Sequence, residues 1–136
     1  MMLECKLIAI TGGASVIGKA AALEAAPQSA DVAISYIVVP GTVRGLLDEI
    51  EVTGRRALYL RGDVAEPETA VRFMSAIESE LGGLDVFVSN AGICPFHAFL
   101  DLPPDVLKKT IGVNLLGAYF MVQAAANQIV RQGRGG

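Results

Sequence analysis

Short, almost wholly apolar runs alternate along this chain with longer stretches in which apolar residues recur at helical spacing. The first run, Lys6–Ile10, has the pattern of a strand buried on both faces of a parallel sheet. Thr11, Gly12 and Gly13 break it, and from Val16 onward Ile17, Ala20, Ala21 and Leu23 to Ala26 predict a helix. Pro27–Ala30 reads as a loop and Asp31–Val39 as a second strand, ended by Pro40-Gly41. Arg44–Thr53 is amphipathic, with Leu46, Leu47 and Ile50 on one face, Asp48, Glu49 and Glu51 exposed, and Gly54 as C-cap. Arg56–Leu60 predicts a third strand, closed by Gly62-Asp63.

Glu66–Leu81 predicts the third helix, with Pro67 in its first turn, Gly82-Gly83 as its stop, and Val71, Met74, Ile77 and Leu81 as its buried stripe. Leu84–Ser89 is the fourth predicted strand and runs into Asn90-Ala91-Gly92. A loop through Pro95, His97, Pro103 and Pro104 then leads into helical segments Asp105–Ile111 and Val113–Arg131. Gly133–Gly136 reads as a linker with no structure of its own. Strands alternating with helices predict an α/β fold, a doubly wound parallel sheet in the order 3-2-1-4, with residues 1–136 as one domain. The switch point of such a sheet lies between strands one and four, so a ligand should lie across Thr11–Gly18 and Asn90–Gly92.

Composition narrows the classes of function. The 136 residues are 52% apolar with a mean hydropathy of +0.49, which suits central strands buried on both sides. A net charge of −3 offers no basic field, so no nucleic-acid partner is expected. Cys5 and Cys94 form neither a metal-ligand spacing nor a disulfide framework; no metal is expected, and a reducing cytoplasm is the expected location. The longest apolar stretch, Leu115–Val130, contains Gln123, Asn127 and Gln128 and falls short of a membrane span. The N-terminus carries Glu4 and Lys6 and no clear cleavage site, so no signal peptide is read there.

A strand, a glycine-rich turn and a helix together present unpaired N–H groups and a positive dipole end to an anion. A plain turn between strand and helix has the same outline. The further motifs decide between the two. Thr11-Gly12-x-x-x-x-Ile17-Gly18, Asp63-Val64 after strand three, Ser89-Asn90-Ala91-Gly92 after strand four, and Val113-Asn114-Leu115-x-Gly117 at the start of a long helix follow in order. In this combination the chain resembles the short-chain dehydrogenase/reductase family. The segment Asn90–Leu100, with Gln123-Ala-Ala-Ala126 later, is most similar to the sugar dehydrogenases within it.

The resemblance implies a Rossmann-like fold, truncated here after the fourth strand and its long helix, and NADP-dependent interconversion of a carbonyl/alcohol pair, with a sugar as substrate class. It implies that Gly12, Ser15, Ile17 and Gly18 hold the pyrophosphate and nearby ribose. Asp63 would bond the adenine amino group with the Val64 backbone alongside, and Asn90, Ala91 and Gly92 would flank the adenosine ribose. Asn114 corresponds to the family's active-site asparagine, which helps position a water in the proton relay. Cys94 and His97 read as packing residues of a substrate loop. The end of strand two, Ser35–Val39, carries no acid for a ribose 2′-OH, which favours NADP over NAD, with Lys19 and Arg44 as candidates to neutralise a 2′-phosphate.

Two departures from the family pattern matter. Val16 stands where the family has its middle glycine, and a β-branched residue held in that glycine's geometry should cost about 1–3 kcal/mol in strain or lost binding. The family's catalytic serine and Tyr-x-x-x-Lys pair lie beyond Gly136. Tyr36, Tyr59 and Tyr119 have no lysine four residues later, so no general acid/base is visible among these residues and the chain alone is expected to be inactive. A non-catalytic dinucleotide-binding protein, or a fragment completed by a partner subunit, is the alternative. Strand four should present an open apolar edge, and the 113–131 helix an uncovered face including Ala118, Met121, Val122 and Ala125, which predicts self-association.

Overall fold

The structure, a computed structural model, describes residues 2–38, 41 and 43–136. Parallel strands β1 (Leu7–Thr11), β2 (Asp31–Tyr36), β3 (Ala57–Arg61) and β4 (Val86–Val88) form one sheet in the order β3-β2-β1-β4, the order that the alternating pattern predicts. Ala9 pairs with Ala33 on one side and Phe87 on the other, so β1 is central. Helices α1 (Val16–Ala25) and α2 (Arg44–Val52) cover one face, α3 (Pro67–Leu81) and α5 (Ala118–Gln132) the other. Helix α4 (Pro104–Ile111) continues into α5 through a π-helical turn over Gly112–Gly117.

The pleat of β1 divides the core. Ile8 and Ile10 pack with Ala22, Ile34 and Ile50 on one face, and Leu7 and Ala9 with Phe73, Ile77 and Met121 on the other. Every β1 residue is buried, which accounts for an apolar run without polar alternation.

Several boundaries differ from the sequence reading. Strand β2 ends at Tyr36, because its last partners, Thr11 for Ser35 and Arg61 for Tyr36, end there too. Val39 and Pro40, read as the end of that strand and its stop, lie outside the described residues. Strand β4 is three residues long rather than Leu84–Ser89. Before it, Asp85 N–H donates to Leu7 O (2.9 Å) and Asp85 Oδ2 accepts from Leu7 N–H (2.9 Å), so Leu84 presents its backbone to the opposite edge. There the Gln132 amide takes both groups: Oε1 accepts from Leu84 N–H (2.6 Å) and Nε2 donates to Leu84 O (2.8 Å). The edge expected to be open is therefore covered at Leu84 by the end of α5. Gly133–Gly136 has no regular structure, but Arg134 pairs with the buried Asp85 at 3.3 Å.

Two helical faces are also corrected. Val71 is exposed, and the inward stripe of α3 is Ala70, Phe73, Met74, Ile77 and Leu81. Residues 71 and 77 are six apart, which places them on different sides of a 3.6-residue helix. On α5, Met121 and Ala125 are buried in the core cluster that also holds Phe73 and Ile77, not exposed as the sequence suggested, and the large apolar residues left outward are Tyr119, Val122 and Val130, with Leu115 and Leu116 outward on the preceding π turn.

One buried carboxylate ties the far end of the sheet together. Asp31, at the start of β2, accepts from Arg56 N–H (2.9 Å) and from the guanidinium groups of Arg55 (2.8 Å) and Arg56 (2.6 Å). Burial pushes its carboxyl up, but the Arg56 backbone N–H and the two guanidinium groups outweigh burial and hold it below its ordinary value of 3.8. Among the described residues no helix is long and apolar enough to cross a membrane, and no cluster of His, Cys, Asp or Glu could hold a metal ion.

Candidate functional site

The loops leaving β1 and β4 touch. Gly12 has φ +65°, a left-handed conformation that favours glycine, and a Cβ there would lie 3.0 Å from Asn90 Nδ2 and 3.1 Å from Ala91 Cα. Asn90 Nδ2 donates to Thr11 O (3.1 Å) and Gly12 O (3.2 Å), and the Thr11 hydroxyl accepts from the N–H groups of Asn90 (3.0 Å) and Ala91 (3.1 Å). Gly18 completes the joint from the helix side: a Cβ on it would lie 2.3 Å from Gly12 O and 2.7 Å from Asn90 Nδ2. The absence of a side chain at 18 thus lets α1 close on the turn.

Ser15 is the N-cap of α1, yet its hydroxyl donates to Gly12 O (3.2 Å) instead of capping, and the first turn contains no acid. The first N–H groups of α1 have no side-chain cap and remain available to an anion. Val16 is the first residue of α1. The described non-glycine residues with positive φ are Cys5 and Ser29, so the expected backbone strain at Val16 is absent. Val16 is instead 86% exposed and lines the cleft.

That cleft has a volume of about 350 Å³, within the range of small-molecule sites. Gly12, Ser15, Val16 and Ile17 line it from the β1 side, Ser35, Tyr36 and Ile37 from the end of β2, and Gly62, Asp63 and Val64 from the end of β3. Asn90 to Ile93 line it from the β4 loop, and Lys109 and Val113 from α4 and the π turn. Of the ten residues singled out from the sequence (Gly12, Ser15, Ile17, Gly18, Asp63, Val64, Asn90, Ala91, Gly92 and Asn114), the structure brings eight into this lining; Gly18 and Asn114 are not part of it.

Asp63 Oδ1 accepts from Ala65 N–H (2.9 Å), closing the turn after β3. Asn114 clamps the β4 loop: Oδ1 accepts from Ile93 N–H (2.8 Å) and Nδ2 donates to Ile93 O (2.7 Å). It lies inside the π-helical turn, next to the cleft-lining Val113. Tyr59 donates its hydroxyl to the carbonyls of Tyr36 and Val38, steadying the chain after β2, and burial pushes that hydroxyl above its usual range. The end of β2 carries no carboxylate on the cleft, so a 2′-phosphate would meet no like charge there.

Other expectations fail. Arg44 is held by Asp48 (2.6 Å) and Glu51 (3.3 Å), and neither it nor Lys19 lines the cleft. Cys94 and His97 are exposed rather than packed, along with Phe96, Phe99 and Leu100 on the same loop, which runs over the surface. Sequence reasoning passed over Lys109, Ile93 and Val113 as lining residues. The one available signal was the four-residue spacing of Lys109 and Val113 on a helical segment.

Comparison with known proteins is consistent with this geometry. The short chain dehydrogenase family matches residues 6–136. The chain is 55% identical over 135 residues to L-rhamnose 1-dehydrogenase (NAD(P)(+)) of Sphingomonas sp. (strain SKA58), covering 99% of this chain and 53% of that protein. It superposes on a short-chain type dehydrogenase/reductase from Mycobacterium marinum with a TM-score of 0.93 at 36% identity, over 98% of this chain and 54% of the other. A short chain dehydrogenase from Burkholderia cenocepacia in complex with NADP gives a TM-score of 0.90 at 34% identity, over 94% and 52%. The chain spans about half the length of the curated relatives it matches.

Proposed function

The chain belongs to the short-chain dehydrogenase family, and from that premise we propose that it is the dinucleotide-binding part of an NADP(H)-dependent dehydrogenase acting on a sugar. The observation that supports the reading is the joint between the β1 and β4 loops, where Asn90 bridges Thr11 and Gly12 beside the uncapped start of α1. In this reading the first N–H groups of α1 receive the diphosphate, Ser15 and Ile17 flank it, and Asp63 and Val64 meet the adenine, with Asn90, Ala91 and Gly92 beside the ribose. Gly18 and Asn114 act from outside the lining: Gly18 lets α1 close, and Asn114 fixes the loop that carries Gly92 and Ile93. NADP is preferred to NAD because no carboxylate at the end of β2 opposes a 2′-phosphate.

The bound nicotinamide would supply a hydride acceptor or donor. These 136 residues contain no Tyr-x-x-x-Lys pair to move the accompanying proton, so they bind cofactor without turning substrate over. L-rhamnose, or a related 6-deoxyaldose, is the proposed substrate of the longer assembly, by similarity to the rhamnose dehydrogenases. A cytoplasmic location and self-association through α5 belong to the same proposal; the free cysteines Cys5 and Cys94 and the outward apolar residues of α5 favour them.

A second reading is that these residues bind a dinucleotide without taking part in a reaction. Titrating NADPH into the purified chain and following its fluorescence, then adding L-rhamnose with NADP, tests both. Enhancement without turnover supports the cofactor-binding reading, and clear turnover contradicts the assignment of inactivity.

A further inference from the structure

Helix α4 ends against the turn that follows β3. A Cβ at Gly112 would lie 3.8 Å from Ala65 Cβ, and one at Gly117 only 2.7 Å from Val64 Cγ2. This seat places Val113 on the cleft wall and, one helical turn earlier, Lys109 beside it. Val113 is buried and Lys109 exposed. Among the residues that line the cleft, Lys109 is the only lysine or arginine, and Asp63 is the only acid. Asp63 already turns one oxygen to the Ala65 N–H. No hydrogen bond or ion pair engages the Lys109 side chain among the described residues, whereas Arg44, the cation that the sequence suggested, is held by two acids.

An unpaired lysine on an amphipathic helix is ordinarily a solvated surface residue, and Lys108, which does not line the cleft, fits that description. Lys109 differs in lining the same cleft as the uncapped start of α1. We infer that the Lys109 ammonium binds a phosphate of the dinucleotide taken up here, an inference that rests on the cofactor reading above. An ammonium meets a phosphate oxygen as a compact point charge, without the fixed fork of an arginine. The 2′-phosphate and the diphosphate share this chemistry, and comparing NADPH with NADH separates them.

The test is fluorescence titration of NADPH and of NADH into the purified wild-type chain and the variants Lys109→Ala, Lys109→Arg and Lys108→Ala, each checked for folding by thermal unfolding. Lys109→Ala is expected to weaken NADPH binding about tenfold at low salt, with the gap closing as salt rises. Lys109→Arg and Lys108→Ala are expected to stay within about twofold of wild type. A loss confined to NADPH assigns the contact to the 2′-phosphate, an equal loss for NADH assigns it to the diphosphate, and both uphold the inference. Wild-type binding that Lys109→Ala leaves unchanged overturns the role of Lys109 alone. A wild-type chain that binds neither nucleotide at millimolar concentration overturns the cofactor reading, and this inference with it.

Discussion

The side-chain amide of Asn90 donates to the carbonyl oxygens of both Thr11 (3.1 Å) and Gly12 (3.2 Å), so a residue at the end of β4 holds the shape of the turn that follows β1. The Thr11 hydroxyl returns the tie by accepting from the N–H groups of Asn90 and Ala91. Asn90→Ala removes two donors from partly buried carbonyls, and Thr11→Val removes the acceptor for two N–H groups. Each should lower stability by about 1–3 kcal/mol in denaturant titration. Because the joint shapes the cleft, each should also weaken NADPH binding about tenfold. Normal affinity in a destabilised Asn90→Ala chain would mean that the joint serves only folding.

Val16 separates binding from folding. Its backbone is helical and its exposed side chain lines the cleft, so replacing it relieves no strain but opens the approach to the first N–H groups of α1. Val16→Gly should tighten NADPH binding several-fold, about 1 kcal/mol, while costing a few tenths of a kcal/mol of stability through helix propensity. A gain in stability would instead point to strain at this position.

Asp31 gives the fold an acid-sensitive tie. Its folded pKa lies below the ordinary 3.8, so its contribution is complete above that value and is lost as pH falls through the lower, folded value. Asp31→Asn should cost about 2 kcal/mol near neutral pH, discounted for the partly exposed arginines, and should flatten the acid side of the stability profile below about pH 4. Stability against pH, measured by urea unfolding of both chains, checks the size and the direction.

The outward residues of α5 predict association. Tyr119, Val122 and Val130 are 60%, 47% and 77% exposed on one helix. Sedimentation of the purified chain should show self-association at micromolar concentration, which Val122→Glu reduces while changing stability by less than about 0.5 kcal/mol. A monodisperse wild-type monomer at high concentration contradicts this.

The order of strands, the two loops that meet at the switch point and most of the cleft lining are legible in the sequence, because an apolar run, a glycine break and a helical repeat each act locally. Residues whose role depends on which side of a helix meets a neighbour are not. Val71 and Phe73 are both apolar and lie on different sides of α3; Phe73 goes inward with Ala70, Met74 and Ile77, and Val71 stays outside. Met121 and Val122 present the same ambiguity on α5. Lys109 escapes for a longer-range reason: its nearness to the cleft follows from the contacts of Gly112 and Gly117 with the Val64–Ala65 turn, some fifty residues earlier in the chain. Nothing in the apolar periodicity announces the π-helical turn around Asn114, since one extra residue in a turn leaves the composition unchanged.

The most direct measurement is the change in backbone amide resonances of the isotopically labelled chain as NADPH is added. The account predicts that the largest shifts cluster at Gly12–Ile17, Asp63-Val64 and Asn90–Gly92, with smaller ones at Lys109 and Val113. Saturable shifts that avoid these segments, or none at millimolar nucleotide, would contradict it.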